Sequence, residues 1–226
     1  FKNAVREQLI DWGTYTAAGS CQTSQAMAIF YDVFEPGEKS AAFSRLMSLI
    51  DEKDGRFDVG VLGARVLFHV LAQFGQAELA FKMIVGPKFP SYGFWIENGA
   101  TSLWENFRVS GRTASRNHHF WGDIGSWFIQ YLSGIRLNPL RCDVNRVDIA
   151  PCFVDTLNFA QGFHIAPAGK ISSRWERTGD GRILLTVEAP QGMTGYIRLE
   201  NGYSFEDGLR IKPLCSGTYT VIKSKV

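Results

Sequence analysis

The pattern of apolar residues changes character near Gly134, and this change constrains the fold more than any other feature. Before it, apolar residues recur every three or four positions, as in Val66, Leu67, Val70 and Leu71, which is typical of helices. After it, short runs of β-forming residues alternate with turn residues, as in Arg182–Glu188 behind the turn Thr178–Gly181. The sequence therefore predicts an α+β chain of two domains, a helical one over 1–135 and a small antiparallel β-sandwich over 136–226, with the boundary near Ile135–Asn138.

The helical part contains six periodic segments that end at glycine, proline or charged turns. They begin at Phe1, Ala26, Ala42, Val66, Leu79 and Phe120, and the last ends at Gly134. Most of the connections are short, so we expect successive helices to pack as antiparallel hairpins.

One connection, from Pro87 to Asn117, is far longer than the others and shows no helical period. A loop of this length inside a folded domain is usually functional. It contains three tryptophan or tyrosine residues and one carboxylate in an aromatic setting, namely Tyr92, Trp95, Trp104 and Glu105. Aromatic rings with a few polar groups are what a sugar pocket requires, and a partly dry carboxylate has tunable basicity.

The bulk composition argues against several classes of partner. The net charge is only +2 and no basic run stands out, so we expect no nucleic acid partner. No apolar stretch approaches the roughly 20 residues of a membrane span, so we expect no membrane partner. The chain begins with Phe1 and shows no leader pattern, from which we expect a piece of a longer protein.

The four cysteines are scattered without the spacing of a zinc or redox motif, which favours thiols that pack as small apolar groups. A disulfide between Cys142 and Cys152 is left open. Adjacent His118 and His119 point in different directions and have no third ligand at helical spacing, so we expect no metal site at this pair.

Several polar residues have both a structural and a functional interpretation. Glu105 could cap a helix or pair with Arg108, and His118 could cap the helix that follows it. Glu97 could supply a second carboxylate but fits a turn better, Asp123 fits a helix start, and Asp58 could reach a pocket from its glycine-flanked loop.

With these residues in view, the chain resembles the α-L-rhamnosidases of glycoside hydrolase family 78. The most specific piece is Tyr92-Gly93 followed by Asn98-Gly99-Ala100-Thr101-Ser102-Leu103-Trp104-Glu105. Further motifs follow the family's order around it, and they are Gln22–Ala26, Asp58–Gly63, Asn117-His118 with Gly-x-x-Gly-x-Trp, and Val144–Pro151.

The resemblance implies part of an (α/α)6 barrel followed by a β-domain, and an inverting hydrolase for terminal α-L-rhamnose. It implies that Glu105 is the general base and that His118 contacts the sugar, with Tyr92, Trp95 and Trp104 as further sugar contacts. The family's general acid lies in an earlier half of the barrel that is absent here, so the missing N-terminal part of the same protein is the expected partner and the chain alone should be inactive. The family also implies a periplasmic or extracellular location, and the hydrolysis that it implies needs no cofactor.

Two other functions remain open at this stage. One is a non-catalytic carbohydrate-binding protein on the same scaffold, and the other is a helical-barrel glycosidase for another sugar.

Overall fold

The computed structural model describes residues 1–108, 115–137 and 143–224. They divide into two units of internal contacts, Phe1–Ile124 and Gly125–Val226. The predicted domain boundary near Ile135–Asn138 stays a prediction, and Asn138 itself lies outside the described residues.

The first unit is helical, as the apolar periodicity predicts. Its α-helices are α1 Lys2–Leu9, α2 Gln22–Phe30, α3 Lys39–Asp51, α4 Val61–Gln73, α5 Ala77–Val85 and α6 Tyr92–Glu97. A small antiparallel hairpin of β1 Ile10–Asp11 and β2 Thr16–Ala17 connects α1 to α2. Near the end of the unit a short 3-10 turn, His119–Gly122, leads into α7 Asp123–Trp127.

Helix α4 is the most buried helix of this unit because apolar side chains cover most of its circumference. It contacts α2 and α5, while α2 also contacts α3. The hairpin pairs α2 with α3 and α4 with α5 agree with prediction, and the additional contact joins two helices that are not consecutive. Gly63 permits it, since a Cβ there would lie 2.4 Å from Thr23 Oγ1 on α2.

The end of α4 shows why a glycine stops this helix. Gly75 has a φ of 77°, a conformation that glycine adopts without steric cost. Gln76 N then donates to Leu71 O across 2.8 Å and Gly75 N donates to Ala72 O, which satisfies carbonyls that the helix leaves free.

The second unit begins with the rest of α7 and a π-helical turn, Phe128–Leu132, and then becomes β-structure. Its strands are β3 Ile135–Arg136, β4 Asp148–Ile149, β5 Phe159–Ala166, β6 Gly169–Arg177, β7 Ile183–Glu188, β8 Tyr196–Arg198, β9 Tyr203–Phe205, β10 Ile211–Pro213 and β11 Gly217–Lys223. They form a four-stranded sheet in the order β10-β8-β4-β3 and a five-stranded sheet in the order β5-β6-β7-β11-β9.

The two sheets contact each other where β3 approaches β5 and β6. Trp175 on β6 is fully buried, and its Nε1 donates to Leu132 O across 2.7 Å. Phe153 packs edge-on against the same indole. This tryptophan is therefore a core residue of the second unit.

The antiparallel prediction holds for the five-stranded sheet and is wrong in one place in the other. Strands β4 and β8 are parallel, with Ile149 opposite Ile197. The connection from β4 to β8 runs through β5, β6 and β7 of the other sheet. A short hairpin turn would require antiparallel pairing, but a connection this long allows a parallel pair.

The cysteine prediction is also partly wrong. Cys152 is buried with a free thiol, and burial raises its pKa to about 12. Cys21 and Cys215 are exposed rather than packed as apolar groups. Cys142, and with it the disulfide left open above, lies outside the described residues.

Within the described ranges, no helix is both long and apolar enough to cross a membrane.

Candidate active site

The long connection predicted to be structureless contains helix α6, which is too short to show a helical period. Ser91 caps it, because its Oγ accepts a hydrogen bond from Phe94 N at 2.8 Å. The helix sits against the end of α5, since a Cβ on Gly93 would lie 2.2 Å from Val85 O. Glycine at this position is therefore a steric requirement.

Helix α6 contributes two rings to a buried cluster of four, here called the aromatic wall: Tyr92, Trp95, Phe107 and Trp121. Trp95 stacks on Phe107 with 4.1 Å between ring centroids. Trp121 meets both rings edge-on, at 5.7 Å and 4.9 Å. Such pairs contribute about 0.5–1.5 kcal/mol beyond simple area burial, so the wall is a rigid support.

Each polar atom of the aromatic wall is bonded to the backbone. Tyr92 Oη donates to Trp121 O across 3.1 Å, and Trp95 Nε1 donates to Asn106 O across 3.0 Å. Trp121 Nε1 donates to Glu105 O across 3.1 Å. Burial raises the pKa of the Tyr92 phenol well above its usual range, helped by the nearby Asp123 carboxylate, so the hydroxyl stays a neutral donor.

Three hydrogen bonds tie the Glu105 segment to the residues around His118. Glu105 N donates to Ser115 O at 2.9 Å, and His118 N donates to Leu103 O at 2.7 Å. Ser102 Oγ donates to Arg116 O. The structure thus brings the predicted base and the predicted sugar-binding histidine into one hydrogen-bonded assembly, although residues 109–114 between them are outside the described part.

The backbone of Glu105 is firmly held, and the residue as a whole is partly exposed. Within the described ranges, no side chain donates to its carboxylate or forms an ion pair with it, so neither pairing with Arg108 nor a cap is observed. A carboxylate with free lone pairs can accept a proton from a water molecule.

The two histidines differ in their surroundings. His118 is half-buried, with its ring 5.2 Å from that of Phe120. His119 is exposed, and its ring centroid lies 4.5 Å from that of the same Phe120 ring. Among the described residues no group of three His, Cys, Asp or Glu side chains could hold a metal ion.

The structure also contains a pair that the sequence did not reveal, formed by a buried histidine and a partly exposed carboxylate. His69 Nε2, on α4, is 2.8 Å from Asp123 Oδ2 at the start of α7. His69 sits in an uninterrupted apolar stretch, and Asp123 lies far along the chain. The pair could therefore not be predicted from the sequence, because it depends on a tertiary contact between α4 and the end of the unit. The pair anchors the turn that carries Trp121.

The three rings that are predicted to contact the sugar are buried. Tyr92, Trp95 and Trp104 are exposed by 8%, 2% and 4% of their surface. Tyr92 and Trp95 are covered by other rings of the wall, and the Arg116 guanidinium lies 5.1 Å from the ring centroid of Trp104. Their burial favours a supporting role over direct stacking, because their faces already contact protein; sugar contact stays a prediction.

The other carboxylates that the sequence offered are engaged elsewhere or exposed. Asp58 pairs with Lys53 at 3.0 Å, and its backbone N–H donates to Gln22 Oε1. Glu97 is the exposed last residue of α6, in agreement with its interpretation as a helix end.

Comparison with known proteins identifies the family. Residues 1–132 match the model of the bacterial α-L-rhamnosidase six-hairpin glycosidase domain, and residues 134–204 match the model of the bacterial α-L-rhamnosidase C-terminal domain. The chain belongs to the bacterial α-L-rhamnosidase family. The resemblance in the motifs around Asn98–Glu105 is thereby confirmed.

Curated α-L-rhamnosidases agree with this assignment. One from Formosa agariphila is 29% identical over 186 residues, which is 79% of this chain and 20% of the relative. One from Alteromonas sp. (strain LOR) is 30% identical over 169 residues, which is 71% of this chain and 18% of the relative. The chain thus spans about a fifth of the length of these rhamnosidases.

Solved structures of rhamnosidases share the fold. The Streptomyces avermitilis α-L-rhamnosidase complexed with L-rhamnose matches 98% of this chain and 23% of its own, with a TM-score of 0.83 at 23% identity. The enzyme from Dictyoglumus thermophilum matches 99% of this chain and 28% of its own, with a TM-score of 0.84 at 22% identity.

Proposed function

We propose that this chain supplies the water-activating side of the active site of an inverting α-L-rhamnosidase, with Glu105 as the general base. One observation carries the proposal: the Glu105 backbone is held at both N–H and C=O, while the residue is partly exposed and its carboxylate is unpaired among the described residues. A catalytic base needs this combination of a fixed position and free lone pairs.

In the proposed reaction, a water molecule lies between Glu105 and the anomeric carbon of a terminal rhamnose. Glu105 takes a proton from the water molecule as the water oxygen forms a bond to that carbon. The glycosidic C–O bond breaks on the opposite face, and a carboxylic acid outside this chain protonates the leaving oxygen. The two carboxyl groups of an inverting enzyme stand about 6.5–9.5 Å apart, which leaves room for the water.

His118 is proposed to donate a hydrogen bond to a sugar hydroxyl. Its backbone bond to Leu103 O fixes it on the same assembly as Glu105, and no donor or acceptor in the described part of the chain engages its ring. The aromatic wall, with Trp104, is proposed to support this assembly from behind rather than to stack on the sugar.

The helices of the first unit are proposed to be part of an (α/α)6 barrel that the remainder of a longer protein completes. The contact between the non-consecutive helices α2 and α4, each with a hairpin partner, supports this proposal because it repeats helical hairpins side by side. The location in the periplasm or outside the cell stays a prediction.

The test is hydrolysis of an aryl α-L-rhamnoside by the full-length protein and its Glu105→Gln variant. We expect kcat to fall by several orders of magnitude in the variant while rhamnose binding is retained, since the amide keeps the shape of the side chain but cannot accept the proton. NMR of the first product formed should show the inverted anomer.

Other outcomes select other functions. Unchanged turnover in Glu105→Gln would exclude Glu105 as the base. Rhamnose binding without turnover in the parent would favour the non-catalytic carbohydrate-binding protein, and turnover of another glycoside alone would favour a glycosidase for a different sugar.

A further inference from the structure

His69 is a polar side chain inside the packed core of the first unit. Its neighbours along α4, from Val66 to Phe68 and from Val70 to Leu71, are buried and apolar. The ring of Phe30 on α2 packs edge-on against it, with 5.9 Å between ring centroids. A polar ring in such surroundings destabilises the core unless it is hydrogen-bonded, so the position of its partner matters.

The partner is Asp123, whose Oδ2 lies 2.8 Å from His69 Nε2. A carboxylate only accepts hydrogen bonds, so the histidine donates through Nε2–H. The side chain of His69 is 7% exposed and that of Asp123 is 30% exposed. Hydrogen bonds to an ionised group are about twice as strong as neutral ones, so this bond ties Asp123 firmly to the rigid helix α4.

Asp123 ends a short segment of residues 118–123, here called the histidine turn, that is fixed along its whole length. At its start, His118 N donates to Leu103 O across 2.7 Å. In its middle, Trp121 O accepts a hydrogen bond from Tyr92 Oη at 3.1 Å. Its last residue is held by the histidine on α4. Hydrogen bonds from three different parts of the unit therefore set the position of the turn.

The histidine turn in turn holds the candidate base. Trp121 Nε1 donates to Glu105 O across 3.1 Å, while Glu105 N donates to Ser115 O on the other side. A shift of about 1 Å in a catalytic group can lower a rate about 100-fold. The bond at the end of the turn is thus connected to the position of Glu105 through a continuous series of hydrogen bonds and backbone.

We propose that His69 is a positioning residue of the rhamnosidase site: it fixes Asp123 and with it the histidine turn, which holds Glu105 through Trp121. The inference rests on the proposed function of Glu105. His69 acts from behind the site, through a bond that keeps the backbone of the base in place.

The experiment is to measure kcat and KM of the full-length protein and its His69→Leu variant on an aryl α-L-rhamnoside. Leucine suits the apolar surroundings on α4, and the partly exposed Asp123 carboxylate can be hydrated once its partner is gone, so Tm should change little. We expect kcat to fall about tenfold and KM to change by less than about twofold, because the bond from His118 N to Leu103 O remains.

A rescue variant and a double variant distinguish positioning from general stability. His69→Gln places an amide N–H near the position of Nε2 and should restore kcat to within about threefold of the parent. The double variant of His69→Leu with Trp121→Phe should have the kcat of Trp121→Phe alone, since both changes break the same series of contacts.

The matched control is Ile50→Val, which removes a methylene from a fully buried residue on α3, a helix that contacts α2. It should lower Tm at least as much as His69→Leu and leave kcat unchanged. An equal loss of kcat in this control would overturn the inference. So would unchanged kcat in His69→Leu, failure of the glutamine to restore it, or additive losses in the double variant.

Glu105→Gln, measured beside these variants, distinguishes failure of this inference from failure of the proposed function. Full turnover in Glu105→Gln would overturn both. Loss of turnover in Glu105→Gln together with full turnover in His69→Leu would overturn the positioning role alone.

Discussion

Trp121 Nε1 donates a hydrogen bond to the backbone carbonyl of Glu105 across 3.1 Å. The indole belongs to the buried aromatic wall, while Glu105 as a residue is partly exposed. The bond therefore fixes the backbone of Glu105 against the packed core. The proposed chemistry needs this residue in a fixed position. This relationship separates the role of the buried aromatics from that of the exposed polar groups.

Replacement of this donor gives the first prediction. Trp121→Phe keeps a ring in the wall but removes the bond to Glu105 O, so kcat of the full-length protein on an aryl α-L-rhamnoside should fall about tenfold or more with a smaller change in KM. The loss in unfolding free energy should be about 1–3 kcal/mol, from the lost hydrogen bond and the smaller ring.

The control is Trp175→Phe, which also breaks a bond from a buried indole to a backbone carbonyl, that of Leu132. This variant should lose a similar amount of unfolding free energy to Trp121→Phe and leave kcat unchanged. Equal losses of kcat in both variants would show that Trp121 acts only through general stability.

The His69–Asp123 pair gives the second prediction. Asp123→Ala removes the partner of His69 Nε2 and leaves a polar ring atom of a buried side chain without this bond, so we expect a loss of about 1–3 kcal/mol in chemical denaturation. The comparison is Glu52→Ala, which breaks the exposed contact with Arg45 and should cost less than about 0.5 kcal/mol. Similar small losses in both variants would contradict a structural role for the pair.

Close backbone contact at α6 gives the third prediction. In Gly93→Ala the new Cβ would lie 2.2 Å from Val85 O and 2.6 Å from Gly86 O, both backbone atoms that cannot move aside cheaply. We expect a loss of at least about 2 kcal/mol in unfolding free energy. Gly125→Ala is the control, since a Cβ on this helical glycine would meet no neighbouring atom within 4 Å, and it should be neutral or stabilise by up to about 1 kcal/mol.

The Arg6–Glu38 pair gives a pH-dependent prediction. Both Glu38 oxygens accept from the Arg6 guanidinium, at 2.7 Å and 2.8 Å, and Glu35 N also donates to Glu38. These bonds lower the pKa of Glu38 from 4.5 to about 2. Because the folded pKa lies below the unfolded one, the stabilisation is complete above about pH 4.5 and is lost as the pH falls toward about 2.

The measurement is the urea midpoint between pH 6 and pH 2.5. Glu38→Gln should lose part of the decline in the urea midpoint that the parent shows below pH 4.5. Arg6→Gln should lose a smaller part, since the bond from Glu35 N still lowers the pKa of Glu38. An unaltered decline in Glu38→Gln would contradict the assignment.

Parts of the fold could be predicted because they depend on local pattern. The helices from α2 to α5 follow the apolar period, and the β6–β7 hairpin follows its turn residues. Helix α6 was missed because six residues are too few for a period, and β5 was missed because its outward face carries Phe159 and Phe163 where polar residues are expected. The parallel pairing of β4 with β8 is a long-range choice that no local signal records.

The candidate site could likewise be predicted only in part. The motif that ends in Glu105, followed by Asn117-His118, could be identified in the sequence because side-chain type and order carry the resemblance. Burial could not be identified, since an aromatic residue in a loop suits a sugar platform and a buried wall equally well. The small exposed fractions of Tyr92, Trp95 and Trp104 favour the buried wall, and they depend on neighbours distant in sequence.

By itself, the sequence determined helices α2 to α5, the β6–β7 hairpin, the family, and the identity of the candidate base, because propensity, periodicity and motif order are local properties of the chain. Tertiary structure alone decided that Trp121 holds Glu105 and that His69 meets Asp123. Those relationships join residues whose separation along the chain says nothing about their distance in space, and only packing of the whole core sets them.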